Sequence, residues 1–183
     1  MTISKKIEII TLLIILFPFF LFSQEGLPSG YKNIRLGMSL EETKEALIKD
    51  TDFGYHGDRD VSLLPGENRI LIETDAERGL GSNFLTRCWF QFSNDSLYII
   101  TINMNRERID YYSVFKTLRD KYGEPENISP QAATWKNDSV TLSLEKPLTL
   151  KYIDNETFRS LQNSSNISPS AKEATQKMFL DNL

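Results

Sequence analysis

Two alternating apolar runs, Phe84–Phe92 and Leu97–Met104, meet at Ser93-Asn94-Asp95-Ser96, and this junction constrains the fold more than any other feature. Asn and Asp both tolerate positive φ, so Asn94-Asp95 suits a two-residue hairpin turn. The register that follows sets Phe92 opposite Leu97, Phe90 opposite Ile99 and Cys88 opposite Thr101. A further strand is expected at Arg69–Thr74 before the hairpin. Three more are expected after it, at Ala132–Lys136, Ser139–Glu145 and Leu148–Ile153.

Helical signals precede each group of strands. Ser39-Leu-Glu-Glu42 is a capping box, opening a helix to about Asp50 with Leu40, Thr43, Leu47 and Ile48 inward. Tyr111, Val114, Phe115, Leu118 and Tyr122 recur at helical spacing. They predict a second helix from about Arg106 to Tyr122, stopped by Gly123 and Pro125. A short helix is expected over Asp154–Gln162.

The two blocks share one order of elements. Asn94-Asp95-Ser96 and Asn137-Asp138-Ser139 each follow an aromatic, Phe92 or Trp135, and precede an apolar residue, Leu97 or Val140. This is either a structural repeat or good turn chemistry used twice. The expected fold class is α+β, an antiparallel sheet packed by helices and preceded by a signal peptide. It is organised as tandem helix-plus-three-strand units over residues 24–105 and 106–162. A polar linker and a weak amphipathic helix, with Ala171, Ala174 and Met178 on its apolar side, fill 163–183.

Residues 1–23 read as a secretory signal peptide. Lys5 and Lys6 form a basic start, Ile9–Phe22 an apolar run of 14 residues, and Ser23-Gln24 the exit. The alternative is an uncleaved anchor. A spanning helix needs roughly 20 apolar residues, and Pro18 interrupts this run. After cleavage no later stretch is long and apolar enough to span a bilayer. No Cys stands at the exit, so a lipid-bearing site is absent there. The expected location is extracytoplasmic, in the bacterial periplasm. Loss of Lys5, Lys6 and Glu8 takes the net charge from −4 to −5. That mildly acidic balance argues against nucleic acid as a partner.

No catalytic, cofactor-binding or metal-ligating set emerges. Cys88 is the sole cysteine and His56 the sole histidine. A Cys–His pair would be chemically sensible. But Cys88 alternates with Phe84, Phe90 and Phe92, which predicts a buried, inert thiol. His56 reads as a solvated loop residue. The 51–67 loop also carries Asp52, Asp58 and Asp60, yet their spacing departs from a calcium loop and Arg59 sits among them. A loop this long inside a compact domain is unusual and often functional, and partner contact is one role it could serve. Six Asn-x-Ser/Thr sequons, starting at Asn94, Asn127, Asn137, Asn155, Asn163 and Asn166, lie where turns or caps favour Asn. Gly-x-Ser-x-Gly is absent, and Gly79-Leu-Gly81 lacks the strand-to-helix setting of a phosphate loop.

Ile34-Arg-Leu-Gly37-Met38-Ser39-Leu-Glu41-Glu42 resembles the opening of BamE-like (SmpA/OmlA) envelope domains, where a Gly-Met-Ser/Thr turn launches the first helix. Lys121-Tyr-Gly123-Glu-Pro125 with Trp135 resembles the later part of that pattern. A tandem of two such units, as in β-lactamase-inhibitor proteins, is a related likeness. The resemblance implies protein binding or envelope assembly without catalysis. This sequence departs from the pattern in lacking the lipid-bearing Cys and in its long 51–67 loop.

The strand faces point the same way. Val140, Leu142 and Leu144 alternate with Thr141, Ser143 and Glu145, giving one buried and one wet face. In the first block both faces are apolar. Arg87, Trp89, Tyr98, Ile100 and Ile102 fall on the second of them. Either the chain covers that face itself, or it is an interaction surface, to which Arg59 of the loop would add. The expected protein is therefore a non-enzymatic binder of another envelope protein: an assembly factor, scaffold or inhibitor. A small-ligand-binding periplasmic domain, using a pocket between the sheet and the 51–67 loop, is the alternative.

Overall fold

The computed structural model describes residues 26–78, 84–166 and 180–181. The expected signal peptide, Gly79-Leu-Gly81 and nearly all of the expected C-terminal helix lie outside the described residues. A small hairpin of β1 (Gly30–Tyr31) and β2 (Ile34–Arg35) comes first, then helix α1 (Leu40–Lys49). Strands β3 (Val61–Leu63), β4 (Arg69–Asp75), β5 (Leu85–Ser93) and β6 (Ser96–Met104) follow. After α2 (Tyr111–Tyr122) come β7 (Asn127–Ile128), β8 (Ala132–Lys136), β9 (Val140–Glu145), β10 (Thr149–Asp154) and α3 (Asn155–Asn166).

The expected fold class is corrected by the sheet. β3 to β10 form a single eight-stranded antiparallel sheet in the order β3-β4-β5-β6-β10-β9-β8-β7, with a two-stranded sheet and three short helices added. It is not an α+β pair of helix-plus-three-strand units. The cause is the pairing of β6 with β10, which runs from Ile99 opposite Ile153 to Asn103 opposite Thr149. Both strands also pair on their other sides, so no edge separates the halves. The short strands β3 and β7 went unread because three and two residues carry no alternation to detect.

The helices begin where side chains cap them. Ser39 N donates to Glu42 Oε2 at 2.8 Å, while Ser39 Oγ accepts from Glu42 N at 3.3 Å, so the capping box is present. A second cap comes from far along the chain: Leu40 N donates to Asp95 Oδ1 at 3.0 Å. α2 starts five residues later than expected. Arg108 N and Ile109 N donate to Asn105 O, closing a turn, and Asp110 then caps by accepting from Ser113 N at 2.9 Å. At the other end Gly123 takes φ 82°, which only glycine adopts without strain.

Leu47 of α1 and Val114 and Leu118 of α2 join one buried cluster with Ile72, Phe90, Phe92, Ile100, Leu142, Leu144 and Trp135. Both helices therefore cover the same face of the sheet, here called the inner face. Phe53 is fully buried there, edge-on to Phe90 at 5.7 Å and to Tyr31 at 6.1 Å. Lys32 Nζ lies 5.7 Å from the Phe53 ring centroid and pairs with Asp50 at 3.0 Å and with Asp52, fastening the β1–β2 hairpin over this corner. Trp135 Nε1 donates to Gly123 O at 2.8 Å, tying β8 to the end of α2.

Two bulges change the register expected for the first hairpin. Asn94 and Asp95 have φ of 49° and 59°, as the two-residue turn requires, and Phe92 stands opposite Leu97. Beyond that pair Tyr98 is an extra residue on β6, so Gln91 meets Ile99, Phe90 meets Ile100 and Cys88 meets Ile102. A second irregularity, between Leu85 and Cys88, makes Leu85 the buried residue and leaves Phe84 exposed. The second hairpin also closes differently. Asn137 and Asp138 keep negative φ, and Asn137 Oδ1 accepts from Ser139 N and Val140 N instead.

Candidate functional site

The outer face of the sheet, opposite α1 and α2, changes character along its width. Across β10, β9 and β8 it presents Lys151, Thr141 and Thr134, all half-buried, and Ser143, which is buried, so this face is polar as alternation predicts but not fully wet. Across β4, β5 and β6 it presents Leu71, Glu73, Arg87, Trp89, Gln91, Tyr98 and Ile99.

The bulges decide which predicted residues reach this surface. Arg87 is exposed and Trp89 half-buried on the outer face. Tyr98 joins them on the face that alternation gives it, as the bulged residue of β6. It is 6 % exposed, and its hydroxyl donates to Gln91 Oε1 at 3.3 Å. Ile100 and Ile102 do not join them. The bulge turns both into the inner core, where they are buried against Phe90 and Cys88. Ile99 takes the outer position instead, and a strictly alternating register could not have found it.

Arg59 lies at the edge of the same face. The 3₁₀ turn Asp58–Asp60 is held from several sides. Lys44 Nζ reaches Asp58 at 3.1 Å and Glu41 at 2.9 Å, and these two carboxylates, Glu41 first, hold the ammonium above its ordinary pKa. Asp60 Oδ2 accepts from His56 N at 2.7 Å and stands 3.4 Å from His56 Nδ1. Arg59 itself is exposed, and among the described residues its one ion-pair partner is Asp60, at 4.0 Å. Together with Asp60, Ser62, Glu73, Asp75 and Arg87 it lines a groove of about 370 Å³. Arg87 Nη1 pairs with Glu73 Oε1 at 3.3 Å across this groove. Arg59 and Arg87, distant in sequence, thus border one concavity beside Trp89.

The thiol is placed away from this surface. Cys88 is fully buried on the inner face, and burial pushes its pKa up to about 12. The Thr74 hydroxyl, opposite it on β4, pulls in the other direction, although by distance and angle Thr74 Oγ1 has no hydrogen-bond partner among the described residues. His56 sits accessible on the loop, so the two residues occupy different environments. Among the described residues no group of three or more His, Cys, Asp or Glu side chains is placed to hold a metal.

A larger concavity of about 600 Å³ opens at one end of the sheet, where Thr86, Asn103, Asn105, Arg106 and Thr149 contribute to its walls. Thr149 Oγ1 donates to Asn103 Oδ1 at 2.7 Å, and Thr86 Oγ1 to Asn103 O at 3.3 Å. These bonds are internal to the wall and lock it. No described helix is long and apolar enough to cross a membrane.

No curated protein and no solved structure matches the chain. The family model of the TP0088 domain matches residues 29–164, from the start of the first hairpin through the sheet to α3. The chain belongs to the TP0088 domain family.

Proposed function

We propose that the chain is an exported, non-enzymatic protein of the bacterial envelope that binds another envelope protein through the outer face of its sheet. The observation that carries this reading is the accessible set Arg87, Trp89 and Gln91, with Arg59 at its rim, on the face that α1 and α2 leave uncovered. Arg and Trp dominate interface hot spots because they bury large areas with directional contacts. Placement in the periplasm rests on the apolar segment of residues 9–22 and its basic start. The likeness of residues 34–42 to the opening of BamE-like domains belongs to the same reading.

Trp89→Ala with Arg87→Ala tests it. Arg87 is exposed and Trp89 half-buried, so the variant keeps its circular dichroism and a cooperative melt at a somewhat lower temperature. In-cell crosslinking of wild type yields a discrete envelope adduct that the double variant loses. A folded variant retaining every adduct overturns the assignment of this face.

One observation favours a second reading. The groove bordered by Arg59, Ser62 and Arg87 lies between the 51–67 segment and the sheet, and it could take a small polar ligand. A small-molecule envelope extract that raises the melting temperature of wild type, but not of Arg59→Ala, supports that reading over the first.

A further inference from the structure

The two edges of the large sheet are built differently. β7 is two residues long and stands between Pro125 and Pro130, so little backbone is left open to a further strand. β3 is also short, and Pro65 follows it by two, but Leu63 keeps its own backbone N–H at the edge. Leu63 is 83 % exposed, more than any other large apolar side chain described.

The pairing of β3 shows which of its backbone groups face outward. Leu64 N donates to Arg69 O at 3.0 Å. In an antiparallel ladder hydrogen-bonded pairs alternate, so Ser62 with Leu71 is the next such pair. Val61 and Leu63 then aim N–H and C=O away from β4. The Val61 N–H is already bonded to Asp58 O. Leu63 is left offering both a donor and an acceptor at the open edge, beneath an exposed side chain.

We propose that β3 is a self-association edge: two copies of the chain pair their β3 strands antiparallel about a two-fold axis at Leu63. In that arrangement the two Leu63 residues exchange both N–H···O bonds and their side chains pack together. A two-fold contact must be self-complementary, since each copy presents the same patch. The charges around β3 meet this condition. Arg59 precedes Leu63 by four residues and Glu67 follows it by four. Both are exposed, and among the described residues the one ion-pair partner of Arg59 is its neighbour Asp60, at 4.0 Å. Antiparallel pairing sets the Arg59 end of each copy beside the Glu67 end of the other, giving unlike charges twice. The contact is small, so the dimer is weak and reversible, and this goes beyond the proposed function without depending on it.

The test is sedimentation equilibrium of the chain, purified as the cell leaves it, from micromolar to near-millimolar concentration. Wild type shows a monomer–dimer equilibrium. Leu63→Pro removes the outward N–H without touching the β3–β4 ladder and weakens association by about a hundredfold. Arg59→Glu and Glu67→Arg each weaken it, and the double exchange restores it. Should Leu63→Pro fail to fold, Leu63→Cys replaces it. Its thiols meet at the axis and oxidise to a covalent dimer, whereas Ser62→Cys, pointing to the other face, oxidises far more slowly. Wild type that stays monomeric throughout, a Leu63→Pro dimer of unchanged strength, or a double exchange no better than either single one overturns the proposal.

Discussion

Replacing Ile102 and Thr101 one at a time tests the β6 bulge directly, because the bulge alone decides which of these neighbours is inside. With the bulge, Ile102 is opposite Cys88 and 1 % exposed, while Thr101 faces outward and is half-buried. Without it, Thr101 would meet Cys88 in the core. Ile102→Ala removes three carbons, worth roughly 2.4 kcal/mol of transfer free energy at about 0.8 kcal/mol each. The cavity left between Cys88 and Leu150 adds to this, for a total of roughly 3 to 4 kcal/mol. Thr101→Ala loses little buried surface and should cost under about 0.5 kcal/mol. Urea unfolding followed by fluorescence of Trp89 and Trp135 reads both. The midpoint should fall sharply for Ile102→Ala at an unchanged m-value, and the melting temperature should drop by about 10 °C. If Thr101→Ala proves as costly as Ile102→Ala, the bulge and the outer-face assignment of Ile99 fall together.

Other expectations follow from single contacts. Trp135→Phe keeps the ring in its pocket but leaves the Gly123 carbonyl without its indole donor, at a cost of about 1 to 3 kcal/mol measured by urea unfolding. Thr74→Val replaces a buried hydroxyl that has no hydrogen-bond partner among the described residues with a methyl of similar size. It should stabilise the fold by about 1 kcal/mol, read as a higher urea midpoint. Cys88 should resist thiol reagents at pH 8 until the protein unfolds. Because its folded pKa of about 12 lies above the ordinary 9.0, its contribution is complete below pH 9 and lost as pH rises towards 12. Over that window the wild type should lose about 1.4 kcal/mol per pH unit relative to Cys88→Ala. Asp95→Gly preserves the positive φ of the turn but removes the acceptor for Leu40 N, and should lower stability by about 1 kcal/mol in the same assay.

The local signals were legible where chemistry is local. The capping box at Ser39, the Asn94-Asp95 turn and the stripe from Tyr111 to Tyr122 all rest on contacts within a few residues, and each stands as read. What escaped depends on partners far away. A bulge is invisible to alternation, since it inserts one residue and reverses every side chain beyond it. Two of the predicted surface residues, Ile100 and Ile102, were lost to the core in this way, and Ile99 was gained. The fold class was missed for a related reason. Whether two groups of strands form separate units or one sheet depends on β6 meeting β10, and neither strand carries a mark of its partner. Arg59 and Arg87 were each noticed singly, but the groove between them is a property of the β3–β4–β5 register.

The join between β6 and β10 also bears on how the chain reaches its structure. Closing it brings Asn103 to Thr149 across α2 and three intervening strands, a loop of some length whose ordering must precede the gain. Until it closes, the nine residues of β6 stand as a bare edge rich in isoleucine, the kind of surface on which chains aggregate. A nascent chain that has emerged only through β6 is in that condition. The vulnerable interval in the life of this protein therefore lies between completion of β6 and arrival of β10, and a cut after α2 should yield an insoluble fragment instead of a smaller domain.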